Sequence, residues 1–253
     1  MCFNPLSMKL SDVSAVIFDL GGTLYHPAVQ LCDTIREFLF RLGISVQKHM
    51  TDDELIEVLT NSAEAWLDNF MLVNNVDVHW RPSQAEWLKY DLVFLQTIGV
   101  SDNLSELAHE YQKMWEERLA HTVPVLVDGV TEALDTLKQH GYDLAVASNR
   151  FGSPSGFLDE HRILHFFDAV EYTSVPGYRK PSPYMLLRVA ERLGYNPRRC
   201  IYVGNTIGLD VMAAKNADMR PVLLTGIDHR ETGRVPEDVV VIDSIAELVR
   251  MLV

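Results

Sequence analysis

The sequence predicts an α/β fold: a doubly wound parallel sheet with an all-helical insert after its first strand. Short, unbroken apolar runs rich in β-branched residues recur along the chain, as in strands covered on both faces. Amphipathic helical patterns alternate with these runs, and such alternation builds a parallel sheet with helices on both sides. The interval between the first two runs has helical rather than strand periodicity.

The first strand is read over Val13–Phe18 and ends in an acid followed by a glycine turn, "FDLGGTL". Four helical stripes follow. Leu31, Ile35, Phe38, Leu39 and Leu42 make the first, and Leu55, Leu59, Trp66 and Phe70 the second. Trp87, Val93 or Phe94 and Ile98 make the third, and Leu104, Leu107, Tyr111, Met114 and Arg118 the fourth. The turn signals "RLGIS" and "WRPS" separate them, and four such helices can bury a core of their own. "VTEALDTLKQHG" then places Val130, Ala133, Leu134 and Leu137 on one face, ahead of the strand "DLAVAS". "AVEYTS" reads as a third strand. "SPYMLLRVAERLG" is a helix with Met185, Leu186, Val189, Ala190 and Leu193 on one face, started by Pro181 and Ser182 and stopped at Gly194. "CIYVG", "PVLLTG" and "VVVID" complete the strand set. The expected division is a core of residues 1–25 and 124–253 with a helical insert at 26–123.

With 47% hydrophobic and 23% charged residues, the composition is that of an ordinary globular protein. A net charge of −13 disfavours nonspecific binding to nucleic acid or to acidic membranes. Cys2, Cys32 and Cys200 form no CxxC pair, so a reducing, cytoplasmic setting is expected. The first residues lack the apolar core of a signal peptide, and no run approaches the ~20 apolar residues of a membrane span.

In open parallel sheets ligands bind beyond the carboxyl ends of the strands. Asp19 and Thr23 follow the first strand. Ser148, Asn149 and Arg150 stand at the end of the second. Asn205 follows "CIYVG", with Asp210 after it, and Lys180 precedes Pro181 in "GYRKPSP". Singly, most of these have plainer readings: Thr23 as a turn residue, Ser148 as a cap, Lys180 as an exposed lysine, Asp210 as a helix N-cap. The tryptophans at 66, 80, 87 and 115 read mainly as insert core.

Taken in order, "FDLGGTL", "VASN", "RKPSP" and "VGNTIGLDVMAAKNADM" resemble the four motifs of the haloacid dehalogenase-like hydrolase superfamily. The resemblance covers roughly residues 13 to 225, and the insert stands where this family carries its C1-type cap. It implies a hydrolase with Asp19 as nucleophile, forming a covalent aspartyl intermediate. Thr23 and Ser148 would hydrogen-bond the transferred group, and Lys180 would hold nucleophile and phosphoryl charge together. Gly22, Asn149 and Arg150 would bind the substrate, the glycine turn through a nest of backbone amides. Mg²⁺ would be bound by Asp19, the Gly21 carbonyl, Asn205 and Asp210, more weakly than is usual for the family. The implied substrate is a small anionic molecule, selected by insert residues that face Asp19.

Two positions depart from the family pattern. Where its phosphatases carry a second aspartate, a general acid and base, this chain has Gly21. Where motif four usually begins with a metal-binding aspartate, it has Asn205. General acid–base catalysis is worth roughly 10²–10⁴-fold, so a slow rather than an inactive enzyme is expected. A phosphatase with weakened acid–base catalysis fits these departures. So do a metal-independent 2-haloacid dehalogenase and a catalytically reduced protein that binds a phosphorylated ligand or a partner. Arg36 and Arg41 do not align with a halide-binding arginine, and Lys48 is a loose candidate for the cap lysine of the phosphonate-cleaving members.

Overall fold

The computed structural model describes residues 12–26, 30–44, 50–227 and 235–253, so Cys2, Lys48 and the amino-terminal segment read above lie outside it. The chain divides into two compact units, Met1–His26 with Val125–Val253, and Pro27–Pro124.

The first unit is built on a six-stranded sheet of β1 (Ala15–Phe18), β2 (Asp143–Ser148), β3 (Ala169–Tyr172), β4 (Cys200–Gly204), β5 (Arg220–Leu224) and β6 (Val240–Ile242). The spatial order is β3-β2-β1-β4-β5-β6 and every pairing is parallel. All four residues of β1 are buried, because side chains that alternate along a strand meet a core on each face here. Val16 and Phe18 join Leu134 and Leu137 of α6 (Val130–Gln139), Leu158 of α7 (Ser155–Glu160) and Leu248 of α10 (Ile245–Leu252). Ala15 and Ile17 join Met185, Leu186 and Val189 of α8 (Tyr184–Leu193) and Ala213 of α9 (Met212–Asn216). Each large apolar side chain buried this way contributes roughly 1.5–3 kcal/mol before the entropy of ordering is counted. The chain moves outward from β1 to β2 and β3, then returns to set β4 on the other side of β1. That reversal opens a crevice beyond the carboxyl ends of β1 and β4.

The second unit is helical: α1 (Leu31–Arg41), α2 (Asp52–Leu59), α3 (Ala65–Val73), α4 (Gln84–Thr97) and α5 (Leu104–His121). Thr51 with Glu54 and Ser83 with Glu86 form capping boxes that start α2 and α4. The second stripe read from the sequence needs correcting. A π-turn at Thr60–Glu64 joins α2 to α3. Its extra residue rotates the later face, so Leu67 and Met71 are buried rather than Trp66 and Phe70. Phe70 instead packs between Trp66 and Trp80, with ring centroids 5.7 and 5.8 Å away. Arg36 donates to Asp52 and to the Met50 carbonyl, and Arg41 faces Glu37 at 3.7 Å. Among the described residues, no helix is long and apolar enough to cross a membrane.

Candidate active site

Asp19 extends β1 by one residue, its amide donating to the Val203 carbonyl of β4 at 2.9 Å. The chain then turns tightly. The Leu20 carbonyl accepts from the amides of Thr23, Leu24 and Tyr25, and the Gly22 amide donates to the Tyr25 carbonyl at 2.8 Å. Gly22 has φ +73°, and a Cβ there would stand 2.5 Å from Asn205 Nδ2. Only glycine lets the turn and the Asn205 side chain share this space.

Lys180 organises the site. Its ammonium, 2% exposed, donates to Asp19 Oδ1 at 2.7 Å, Asp210 Oδ1 at 2.6 Å and the Tyr202 hydroxyl at 2.8 Å. That accounts for all three of its protons. The Tyr202 hydroxyl in turn donates to the Ala147 carbonyl at 2.7 Å. Burial pushes the Lys180 ammonium down, but the Asp19 and Asp210 carboxylates outweigh it and raise it above an ordinary lysine. Burial raises Asp19 above the usual carboxylate range. Lys180 opposes this and the charge of Asp210 adds to it. Burial would raise Asp210 too, but Lys180 and its Thr206 hydrogen bonds hold it below that range.

Tyr202 was missed by sequence reasoning. The signal was a tyrosine inside the apolar strand "CIYVG", since a buried phenol needs a partner for its hydroxyl.

The other predicted residues surround this centre. Asn149 was expected to bind substrate. Its Oδ1 instead accepts from the Lys180 amide at 2.7 Å, and its Nδ2 donates to the Lys180 carbonyl at 3.1 Å. It clamps the backbone that carries the lysine. Gly22 was expected to offer its amide to an anion, but that amide is committed inside the turn. Thr23 was expected to hydrogen-bond the transferred group. Its hydroxyl is buried, with no partner among the described residues. Ser148 is buried at the end of β2. Arg150 is half-buried, and its charge is felt at the Tyr25 hydroxyl.

Asp210 was expected to bind metal. Its Oδ2 accepts from the Asn205 amide (3.1 Å), the Thr206 amide (2.9 Å) and the Thr206 hydroxyl (2.7 Å), while Oδ1 faces Lys180 and Tyr202. Oδ2 is fully engaged, so Asp210 anchors the helix start, while Oδ1 serves as the counter-charge of Lys180. It approaches closely because β4 ends in Gly204, where a Cβ would lie 2.3 Å from Asp210 Cγ. Among the described residues no cluster of three or more His, Cys, Asp or Glu is arranged to hold a metal ion. The remaining candidate donors are the second oxygen of Asp19, the Gly21 carbonyl and the Asn205 side chain. One carboxylate with neutral oxygens still fits Mg²⁺, which is commonly held by one or two carboxylates together with water and substrate phosphate.

The haloacid dehalogenase-like hydrolase family model matches residues 13–218. The chain is 32% identical over 151 residues to the probable phosphatase IndB of Dickeya dadantii, spanning 58% of this chain and 65% of that protein. It is 28% identical over 250 residues to a phosphoglycolate phosphatase of Nitrosococcus oceani, spanning 96% of this chain and 98% of that one. The crystal structure of a predicted phosphoglycolate phosphatase from Haemophilus somnus superposes with a TM-score of 0.63 at 20% identity, covering 95% of this chain and 98% of that one, a likeness of fold. With the family model running from the start of β1 through α9, and the carboxylate–lysine constellation at the strand ends, this chain belongs to the haloacid dehalogenase-like hydrolase family.

Proposed function

We propose that the protein is a phosphatase of small phosphorylated metabolites, with Asp19 as its nucleophile. The observation that carries this is the buried Lys180 ammonium, 2.7 Å from Asp19 Oδ1, at the topological switch of the sheet. The phosphatase names of relatives that match along nearly the whole chain support the substrate class. The free oxygen of Asp19 attacks phosphorus, and the bond from phosphorus to the ester oxygen breaks with its electron pair leaving on that oxygen. Water then attacks the aspartyl phosphate at phosphorus, releasing inorganic phosphate and restoring the carboxylate. Lys180 holds Asp19 in place and offsets the negative charge that gathers there. Ser148 and Arg150 are the groups we assign to the phosphoryl oxygens. A Mg²⁺ ion held by Asp19, the Gly21 carbonyl and Asn205 would neutralise charge on the phosphoryl group.

Gly21 has no side chain to protonate the leaving oxygen, so phosphates with good leaving groups are the preferred substrates in this reading. We further assign residues 26–123 to a C1-type cap and residues 1–25 and 124–253 to the hydrolase core. Among the described residues neither Cys32 nor Cys200 is in a disulfide, which supports a cytoplasmic setting in this reading.

The test is phosphate release from a panel of aryl, acyl and sugar phosphates, with 2-haloacids alongside, each with and without Mg²⁺. Asp19→Asn is nearly isosteric and a far poorer nucleophile. It is expected to abolish turnover while keeping the wild-type thermal melt. Near wild-type turnover by that variant removes Asp19 from the mechanism, and halide release in place of phosphate release overturns the substrate class.

A further inference from the structure

The helical unit contains a cavity of about 370 Å³ that the phosphatase reading does not use. Its walls are aromatic: Trp87, Tyr90 and Phe94 come from α4, and Tyr111 and Trp115 from α5. Among the described residues no lysine, arginine or histidine lines it, yet two acids do, Asp91 and Glu116. Asp91 is 6% exposed and has no hydrogen-bond or ion-pair partner among the described residues. An unpaired carboxyl in an apolar setting is strongly disfavoured. An asparagine or a leucine at this place would build the same helix more cheaply, so the acid calls for a ligand that answers it.

We propose that this cavity is a binding site for an organic cation, an ammonium or amine on an apolar body, with Asp91 as its counter-charge. Tryptophan and tyrosine faces attract a cationic head through their ring quadrupoles. The volume lies at the small-ligand end of the roughly 300–1,000 Å³ range of such sites. An anion would meet two acids, and a neutral ligand would gain nothing from the ionised form of Asp91. The site does not depend on the phosphatase reading, since its ligand is recognised by residues of the helical unit alone.

The groups around Asp91 decide its pH behaviour. Burial pushes its carboxyl up to about 8, and Glu116 on α5 adds to that. Tyr90 and Tyr111 are raised by burial as well, so they stay neutral phenols. Glu64, from the π-turn, acts on Tyr90. A bound cation draws the proton off Asp91. With about a tenth of Asp91 ionised at pH 7, apparent affinity is expected to rise roughly tenfold between pH 7 and pH 9, because it scales with the competent fraction.

The experiment titrates the full-length protein with benzyltrimethylammonium, following tryptophan fluorescence and calorimetry, against benzyl alcohol as the neutral probe and benzoate as the anionic one. The cation is expected to bind in preference to both, to tighten with pH as above and to release a proton. Asp91→Asn is expected to weaken cation binding about tenfold at pH 9 and to abolish its pH dependence. Equal binding of cation and alcohol, a flat pH profile, unchanged affinity in Asp91→Asn, or no binding of the cation would each overturn the proposal. Should Asp91→Asn fail to fold, the wild-type pH profile and the cation-to-alcohol ratio decide the matter alone. Phosphate release is not read, so failure here leaves the phosphatase reading untouched.

Discussion

At the scale of single residues, two adjacent glycines behave in opposite ways. A Cβ at Gly21 would have Tyr25 as its nearest neighbour, the hydroxyl at 3.7 Å, an ordinary contact. A carboxylate can be accommodated there. Gly21→Asp is therefore expected to fold, to speed alkyl phosphates by up to roughly 10²–10⁴-fold, and to flatten the dependence of rate on leaving-group pKa. Rates on a series of aryl and alkyl phosphates measure this. A wild-type enzyme already indifferent to the leaving group would show that another residue supplies the proton. Gly22→Ala forces a side chain into left-handed backbone and against Asn205, so it is expected to destabilise the protein by about 1–3 kcal/mol in urea denaturation. The sequence made Asp19 and Lys180 legible, because acids and lysines beside strand ends are conspicuous. It hid the turn hydrogen bond of Gly22 and the clamp that Asn149 makes on Lys180. Whether a polar atom faces a ligand or a backbone partner is settled by turns and loops that no local pattern encodes.

At the scale of elements, the strands and most helices follow directly from periodicity, while the two π-turns do not. Each inserts one residue without a compositional mark. Thr60–Glu64 rotates the face of α3, and Ile207–Val211 sets Asp210 beneath β4. The second of these gives Asp210 backbone and hydroxyl partners that its motif position does not announce. The loop that carries Lys180 is held to the end of β2 by Asn149, which bonds both the amide and the carbonyl of Lys180. Asn149→Ala leaves two partly buried backbone groups without these partners, at a cost of about 1–3 kcal/mol. It also frees the lysine to wander. The expected kinetic signature is a fall in kcat with little change in KM, since the chain position lost is that of a charge beside the nucleophile. A rise in KM with kcat unchanged would instead place Asn149 on the substrate.

At the scale of the whole molecule, buried carboxyls make stability depend on pH, and their signs differ. Asp210, lowered in the folded state, contributes stability that is lost as pH falls through its folded value. Lys180, raised, contributes stability that is lost as pH rises beyond 10.5. Asp91 acts between these limits. Its pKa goes from 3.8 to about 8 on folding, so the folded state holds the proton more tightly than the unfolded one. Stability is then fullest at low pH and declines as pH rises from 3.8 to about 8, levelling off above that. At about 1.4 kcal/mol for each pH unit of difference, the decline attributable to this one group is on the order of a few kcal/mol. Asp19, also raised, contributes in the same sense, so the wild-type curve alone does not isolate Asp91. Asp91→Asn does, because it keeps the shape and removes the proton. Urea denaturation of both proteins at pH 5, 7 and 9 is expected to show the variant gaining on the wild type at each step, most of the gain being complete by pH 9. Parallel stability curves would mean that Asp91 is ionised throughout, and hence that a cation from the protein or the solvent already answers it.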